Sequence, residues 1–262
     1  MEYTNLLCDL GLDEHVKELL EQRRSLFPEH MELILGLTDH DRAHYCYKQL
    51  EERLGEDDMG MLACQLRAAV RTRELYGRAG IPDRIFLDTM GCFRRFLGET
   101  MHRTGKLCFD RGWWSYRQLS MRLFRLGQLE FEMLREPHAV AMHIPSDSCM
   151  SAEEVDRSLE QLRTFLPKFY PDYADAPVGC ESWLLSPVLR EYLGEGSNIR
   201  SFQDRFHLLH VVDAAQDVLE WLFRVPEGTS VQAFPEGTSL QRNIKKHMLA
   251  GGTVGVARGI LK

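Results

Sequence analysis

The sequence predicts an α+β protein made of two unlike halves, an all-helical N-terminal domain followed by a domain of strands and helices. Three observations carry this. Up to about residue 116, apolar residues recur at the three- and four-residue spacing of helices with one buried face. From Leu129 the spacing becomes strict alternation, with Leu129, Phe131 and Met133 separated by Glu130 and Glu132. The length, 262 residues, suits two domains of ordinary size, which we place at 1–116 and 117–262.

The helical half reads in order. Asp13 is an N-cap for a helix running through Leu19 and Leu20 to Leu26, ending near Pro28. Thr38 with Asp41 has the spacing of a capping box ahead of RAHYCYKQLEERL. MLACQLRAAVRTRELYGRAG carries a stripe of Leu62, Leu66, Ala69, Val70 and Leu75, and Gly80 stops it. Ile81-Pro82 opens a further helix whose stripe is Ile85, Phe86, Met90, Phe93, Phe96 and Leu97. No strand is expected before residue 127.

The second half predicts strands at Leu129–Met133, Ala139–Ile144, Val178–Leu185, Phe206–Val212 and Thr253–Ile260. Helices are expected between them at about 151–166, 187–193, 214–224 and 239–250. The order is hairpin, helix, strand, helix, strand, helix, strand, an α+β or α/β sheet domain.

Composition excludes several classes. A net charge of −7 argues against a general nucleic-acid binder, which needs a basic surface to displace counterions. The longest apolar runs are too short to cross a bilayer, so no membrane partner is expected. MEYTNLLCDLGLDEHV has no basic segment ahead of its apolar residues, so a signal peptide is not expected. Seven scattered cysteines with no C-x-x-C pair fit free thiols in a reducing, cytoplasmic setting.

Two stretches of the sheet domain bear on chemistry. The first is AVAMHIPSDSCMSAEEVDRSL, a strand, a loop and a helix with no glycine to close round a phosphate. Ser151 with Glu154 reads as a capping box, and Met150 with Val155 as its hydrophobic staple. Asp147, Glu153, Glu154 and Asp156 repel an anion, and Pro145 lacks an N–H. The junction therefore reads as a self-capped structural turn. The second is the hairpin before it. A four-residue loop, Arg135 to His138, sets Met133 opposite Val140 and Phe131 opposite Met142, and brings Glu130 opposite His143. A carboxylate beside an imidazole holds it in one tautomer, the arrangement of a general base for an amine. A plain cross-strand polar pair is the competing reading.

Other motifs are structural. His40 and His44 stand four apart on a helix start, but a metal site needs a further ligand in place, so no metal is expected. GGTVGVARG follows a helix and precedes a strand, the reverse of a dinucleotide fingerprint. The last acid is Glu236. From Gly237 onward the charge is +5, leaving −12 on the preceding 236 residues. Ser239, Arg242 and Lys246 lie on the helix of this basic tail and are the candidate contacts for the phosphates of an anionic ligand.

FDRGWWSYRQLSMRLFRLGQLEFEM, HIPSD, CESWLLSPVLREYLGEGSNIRSF and PEGTSLQRNIKKHMLAGGTVGVARGIL resemble a bacterial acyltransferase family. Its members pair a helical N-acyltransferase N-terminal domain with a GNAT-like C-terminal domain. The resemblance implies a mixed sheet splayed between its two central strands, here Ala139–Ile144 and Val178–Leu185, with acyl-CoA lying in the splay. It implies that a hydroxyl or thiol on the second of these, Ser182 or Cys180, protonates the leaving thiolate, with Glu181 as a further base or substrate contact. The typical GNAT glycine motif at the strand-to-helix junction is missing. The expected function is acyl transfer from acyl-CoA to an amine on a small molecule, with Glu130, His143, Glu181 and Ser182 at the site. The alternative is a ligand-binding or structural protein that kept the fold and lost the chemistry. Oligomeric state is not legible.

Overall fold

The computed structural model describes residues 2–212, 216–226 and 228–262. The chain divides into two compact units, the first ending at Leu126 and the second starting at Gly127.

The first unit is built round α5 (Asp58–Ala79), preceded by α1 (Glu2–Asp9), α2 (Glu14–Glu21), α3 (Leu26–Gly36) and α4 (Ala43–Leu54). It continues with α6 (Asp83–Met90), α7 (Cys92–Thr104), α8 (Gly112–Leu119) and a short strand, β1 (Leu123–Leu126). α5 is buried on nearly every side. Ala63, Ala68 and Ala69 leave no side chain to hold neighbouring helices away. Buried polar links tie it to α8: Gln65 donates to the Gly112 carbonyl at 2.9 Å and accepts from the Ser115 hydroxyl, and Thr72 donates to the Leu119 carbonyl at 2.8 Å. Its ends follow the sequence, since Asp57 accepts from the Gly60 N–H and Gly80 closes the helix at φ +70°.

Several local expectations are corrected. The helix capped by Asp13 ends at Glu21, and Pro28 lies inside the first turn of α3, where its missing N–H costs no hydrogen bond. Asp39, rather than Thr38, holds the turn before α4, accepting from the N–H groups of Asp41 and Arg42. The helix after Pro82 is two helices, broken at Gly91. β1 precedes residue 127, in a stretch where no strand is expected. Met121 adopts φ +56°, which ends the helix, and Leu123, Phe124 and Leu126 are all buried, so no alternation marks the strand.

The second unit holds the hairpin β2 (Leu129–Leu134) and β3 (Ala139–His143), then α9 (Ala152–Phe169), β4 (Val178–Ser182) and α10 (Asn198–Gln203). β5 (Phe206–Val212), α11 (Gln216–Val218) with a π-helical turn through Phe223, α12 (Ser239–Leu249) and β6 (Val256–Leu261) complete it. Within this unit the sheet order is β2-β3-β4-β6-β5, and the β3–β4 pair is parallel among antiparallel neighbours. The structure is the α+β class the sequence predicts.

β2 and β3 pair in the register derived from alternation, Met133 with Val140, Phe131 with Met142 and Glu130 with His143. α9 packs on β2 and buries Val155, Leu159, Leu162, Phe165 and Leu166 against the apolar face formed by Leu129, Phe131, Met133, Val140 and Met142. A second core gathers Leu189, Val218, Phe223, Phe234, Ile244 and Val254. The helix expected at 187–193 is a single 3₁₀ turn, and Ser186 makes no side-chain cap there. Of the helix expected at 214–224, residues 214 and 215 lie outside the described residues. The six-residue α10 has too short a pattern to be read from periodicity.

Gly127 joins β1 to β2 at φ +64°, and a Cβ there would meet Ser158 Oγ at 2.7 Å. That hydroxyl cannot move aside, because it accepts from the Gln128 N–H at 2.8 Å and donates to the Glu154 carbonyl at 2.9 Å. Gly80 has a similar φ with open space round it. Gly80→Ala should therefore cost about 1–2 kcal/mol, the strain of the left-handed backbone alone. Gly127→Ala should cost more, and equal losses in denaturant unfolding would contradict this packing.

Candidate functional site

The site begins where β3 and β4 separate. Their parallel pairing runs through Val140 with Val178, Ala141 with Gly179 and Met142 with Cys180, and goes no further among the described residues. The outer pairs continue beyond that point, to His143 on the β2 side and to Ser182 with Ala257 on the β6 side. Local chemistry explains the parting. Pro145, two residues after His143, has no N–H to give a ladder. On β4, Ser182 Oγ accepts from the Leu184 N–H at 3.1 Å and turns the chain into a 3₁₀ turn at Trp183–Leu185. His143 and Glu181 are the next residues on either side of the gap.

Paired residues in a ladder point to one face, so the registers define a single row across the sheet. Glu130 and His143 stand on one side of the gap, and Glu181, Arg258 and His210 on the other. A bulge at Leu209 puts His210, not Leu209, beside Arg258. The row is the polar face of the sheet, opposite the face covered by α9. Glu130 and Glu132 are buried, His143 is partly exposed, and Glu181, Arg258 and His210 are exposed.

The imidazole of His143 bonds Glu132, with Nε2 and Oε2 3.1 Å apart. Glu132 is the diagonal neighbour on the same face, within reach of a long side chain. With Glu132 ionised the carboxylate only accepts, and Nε2 is then the nitrogen that donates to it.

The remaining candidates fall elsewhere. Ser182 shares the α9-side face with Cys180, away from His143 and Glu181, and its oxygen is engaged by Leu184. Burial, with Glu181 adding a smaller effect, pushes the Cys180 thiol up to about 12, so it stays protonated at neutral pH. Ser239, Arg242 and Lys246 occupy one exposed face of α12. There Thr238 and Gln241 form a capping box, and Arg242 donates to the Glu236 carbonyl at 2.8 Å. Asp217 was not foreseen. Its carboxyl is held above the usual range by burial, then by Glu220 and Glu181. Among the described residues no group of three or more His, Cys, Asp or Glu is placed to hold a metal, and no helix is long and apolar enough to cross a membrane.

The loop between β3 and α9 is fixed by protein groups. Ser148 Oγ donates to the Gln128 carbonyl at 2.6 Å, the Cys149 N–H to Gln128 Oε1 at 2.9 Å, and the Ser148 N–H to the Pro145 carbonyl at 3.0 Å. Ser151 caps α9 by accepting from the Glu154 N–H at 3.3 Å. The expected reciprocal half of the box is corrected: the Glu154 carboxylate pairs with Arg157 instead, because an arginine three residues on offers a charged donor.

The profile of the GNAT-like C-terminal domain matches residues 123–261, and that of the N-acyltransferase N-terminal domain matches residues 1–121. The chain belongs to the GNAT-like family. No protein of curated function matches it. Among solved structures, this GNAT-like chain is similar to an acyltransferase in complex with decanoyl-CoA and teicoplanin and to one in complex with CoA and 10C-teicoplanin. It is also similar to a mutant acyltransferase in complex with octanoyl-CoA. Each is 20% identical with a TM-score of 0.74, and the match spans 100% of this chain and 99% of the other. That likeness establishes the fold over the whole length.

The cap geometry gives a test at the junction. Ser151→Ala should lower stability by about 0.5–2 kcal/mol, while Glu154→Gln, which weakens only an arginine pair on the helix surface, should cost under about 1 kcal/mol. Equal, large losses in both variants would mean that Glu154 does close the box.

Proposed function

We propose that this protein transfers an acyl group from acyl-CoA to the amine of a small molecule. The observation that carries the reading is the parting of β3 and β4 at the row that holds His143 and Glu181, in a chain of GNAT-like fold. The similar acyltransferases were solved with decanoyl-CoA, octanoyl-CoA and CoA, and two of them with teicoplanin compounds. Acyl-CoA is the co-substrate in this reading, and no metal takes part.

The pantetheine arm of CoA carries amides that can hydrogen-bond along the edges of parted strands. The thioester then lies in the gap. The acceptor enters as an ammonium on the polar face. His143 Nδ1 takes one proton from it while Glu132 holds Nε2–H and steadies the resulting imidazolium. The neutral nitrogen attacks the thioester carbonyl, the C–N bond forms and the C–S bond breaks; the proton that the nitrogen sheds as it becomes an amide passes to the thiolate, which leaves as CoA–SH, and the proton on His143 returns to solvent. The enzyme's main contribution is alignment of amine and thioester. Glu181 holds the ammonium before transfer. Glu130, opposite His143, backs the imidazole from within the sheet. Ser182 is left as a capping residue. The exposed α12 face with Ser239, Arg242 and Lys246 is retained as the surface for the CoA phosphates, because the α9 junction is occupied by its own side chains. Seven free cysteines support a reducing, cytoplasmic setting.

Acyl-CoA should raise the melting temperature, since a ligand that binds the native state stabilises it, and an amine should then trigger thioester loss. His143→Gln should lower the turnover number about a hundred- to ten-thousandfold without lowering the melting temperature by more than a few degrees. Glu132→Gln should lower turnover less. Binding of acyl-CoA with no thioester loss for any amine would sink the transfer reading and favour a ligand-binding protein. Unchanged turnover in His143→Gln would remove it as the base.

A further inference from the structure

Glu181 and Arg258 are direct cross-strand partners on β4 and β6. Opposite charges in that position, with Cβ atoms ~4.5–5.5 Å apart, ordinarily pair. Here they do not: both side chains are exposed, and neither makes a hydrogen bond or ion pair among the described residues. Two opposite charges held side by side and apart are a receptor for a ligand with the complementary pair.

The surroundings sharpen this. At the Glu181 end the field is negative, for Asp217 and Glu220 lie close enough that Glu220 and Glu181 help hold the Asp217 carboxyl up. At the Arg258 end the next residue in the row is His210, also exposed. One row toward the start of β4, the same face carries Ala141 on β3 and Gly179 on β4, with Glu132, Ile260 and His207 on the strands beyond them. A Cβ on Gly179 would meet nothing nearer than the Gly259 carbonyl at 3.7 Å, so the floor beside the charges is open.

We infer that the acceptor is a zwitterion, an amine that also carries a carboxylate, with its ammonium on Glu181 and its carboxylate on Arg258. Guanidinium offers two parallel N–H donors that match a carboxylate, and the Glu181 carboxylate accepts from the ammonium. The row sets the orientation. Glu181 borders the gap, so the nitrogen faces His143 across it, and the carboxylate points away toward Arg258 and His210. The chemical class is an amino acid or a molecule with an amino-acid-like end. The inference rests on the acyl-transfer reading for its reaction and on the strand registers for its binding.

The test compares matched acceptors with octanoyl-CoA as donor: L-alanine against alaninol and L-phenylalanine against phenylalaninol, followed by loss of thioester absorbance. The wild type should favour the amino acid over the amino alcohol in kcat/KM by about ten- to a hundredfold, the range of a charge-assisted hydrogen bond. Arg258→Gln should bring that ratio close to one, mainly through KM, and Arg258→Lys should recover part of it. A wild-type ratio near one, or a ratio that Arg258→Gln leaves intact, overturns the inference. Calorimetric titration of the same compounds separates it from the reaction. Amino-acid binding that Arg258→Gln abolishes would uphold the zwitterion site even if no thioester were consumed. Absence of binding and of selective turnover together would refute it.

Discussion

Everything proposed for this molecule depends on β3 and β4 being unable to stay paired. A parallel ladder needs an N–H at regular intervals on both strands. Pro145 withdraws one, and the Ser182 hydroxyl draws the Leu184 amide into a turn. After Met142 and Cys180 the central strands therefore part, while each keeps its outer neighbour. The gap is a consequence of two short-range effects in a sheet that is otherwise continuous. It falls in the middle of the sheet's most charged row, and that coincidence turns a break in hydrogen bonding into a place for chemistry.

The two sides of the row differ in burial, and burial assigns their roles. Glu130 and Glu132 are nearly inaccessible. A carboxylate in that setting requires hydrogen-bond donors, and His143 provides one to Glu132. On that side Glu132 holds the imidazole in place at the lip of the gap. On the other side, Glu181, Arg258 and His210 stand in solvent, where charges are adaptable and exchange water for ligand at modest cost. In the proposed reaction, a base held on one side faces an open recognition surface on the other, which suits a reaction governed by alignment. The N-terminus of α9 takes no part in anion binding in this picture, since Gln128, Ser151 and the acids of its first turn already occupy it.

How much of this the sequence discloses follows the range of the interactions. The hairpin register was legible because alternation on both strands admits one pairing, and with it came Glu130 opposite His143. The Ser151 cap was legible because capping is local. Glu132 was missed as the imidazole's partner because opposition was weighed and the diagonal was not, though both lie on the same face. Arg258 and His210 were missed for a different reason. β6 pairs with β4 and β5 across long stretches of chain, and the bulge at Leu209 shifts the register in a way no pattern in FHLLHVV announces. β1 escaped because a strand buried throughout has no alternation. The family resemblance supplied the splay, but the row of charges that crosses it emerged only from the registers.

The most direct measurement is a crystal structure with a non-reactive thioether analogue of octanoyl-CoA, in which a methylene replaces the carbonyl. The account predicts the thioether sulfur in the gap between β3 and β4, beside His143 and Glu181, with the pantetheine amides bonded to the parted strand edges. A ligand that lies elsewhere while β3 and β4 stay parted, or strands that close up and pair beyond Met142 and Cys180, would contradict it.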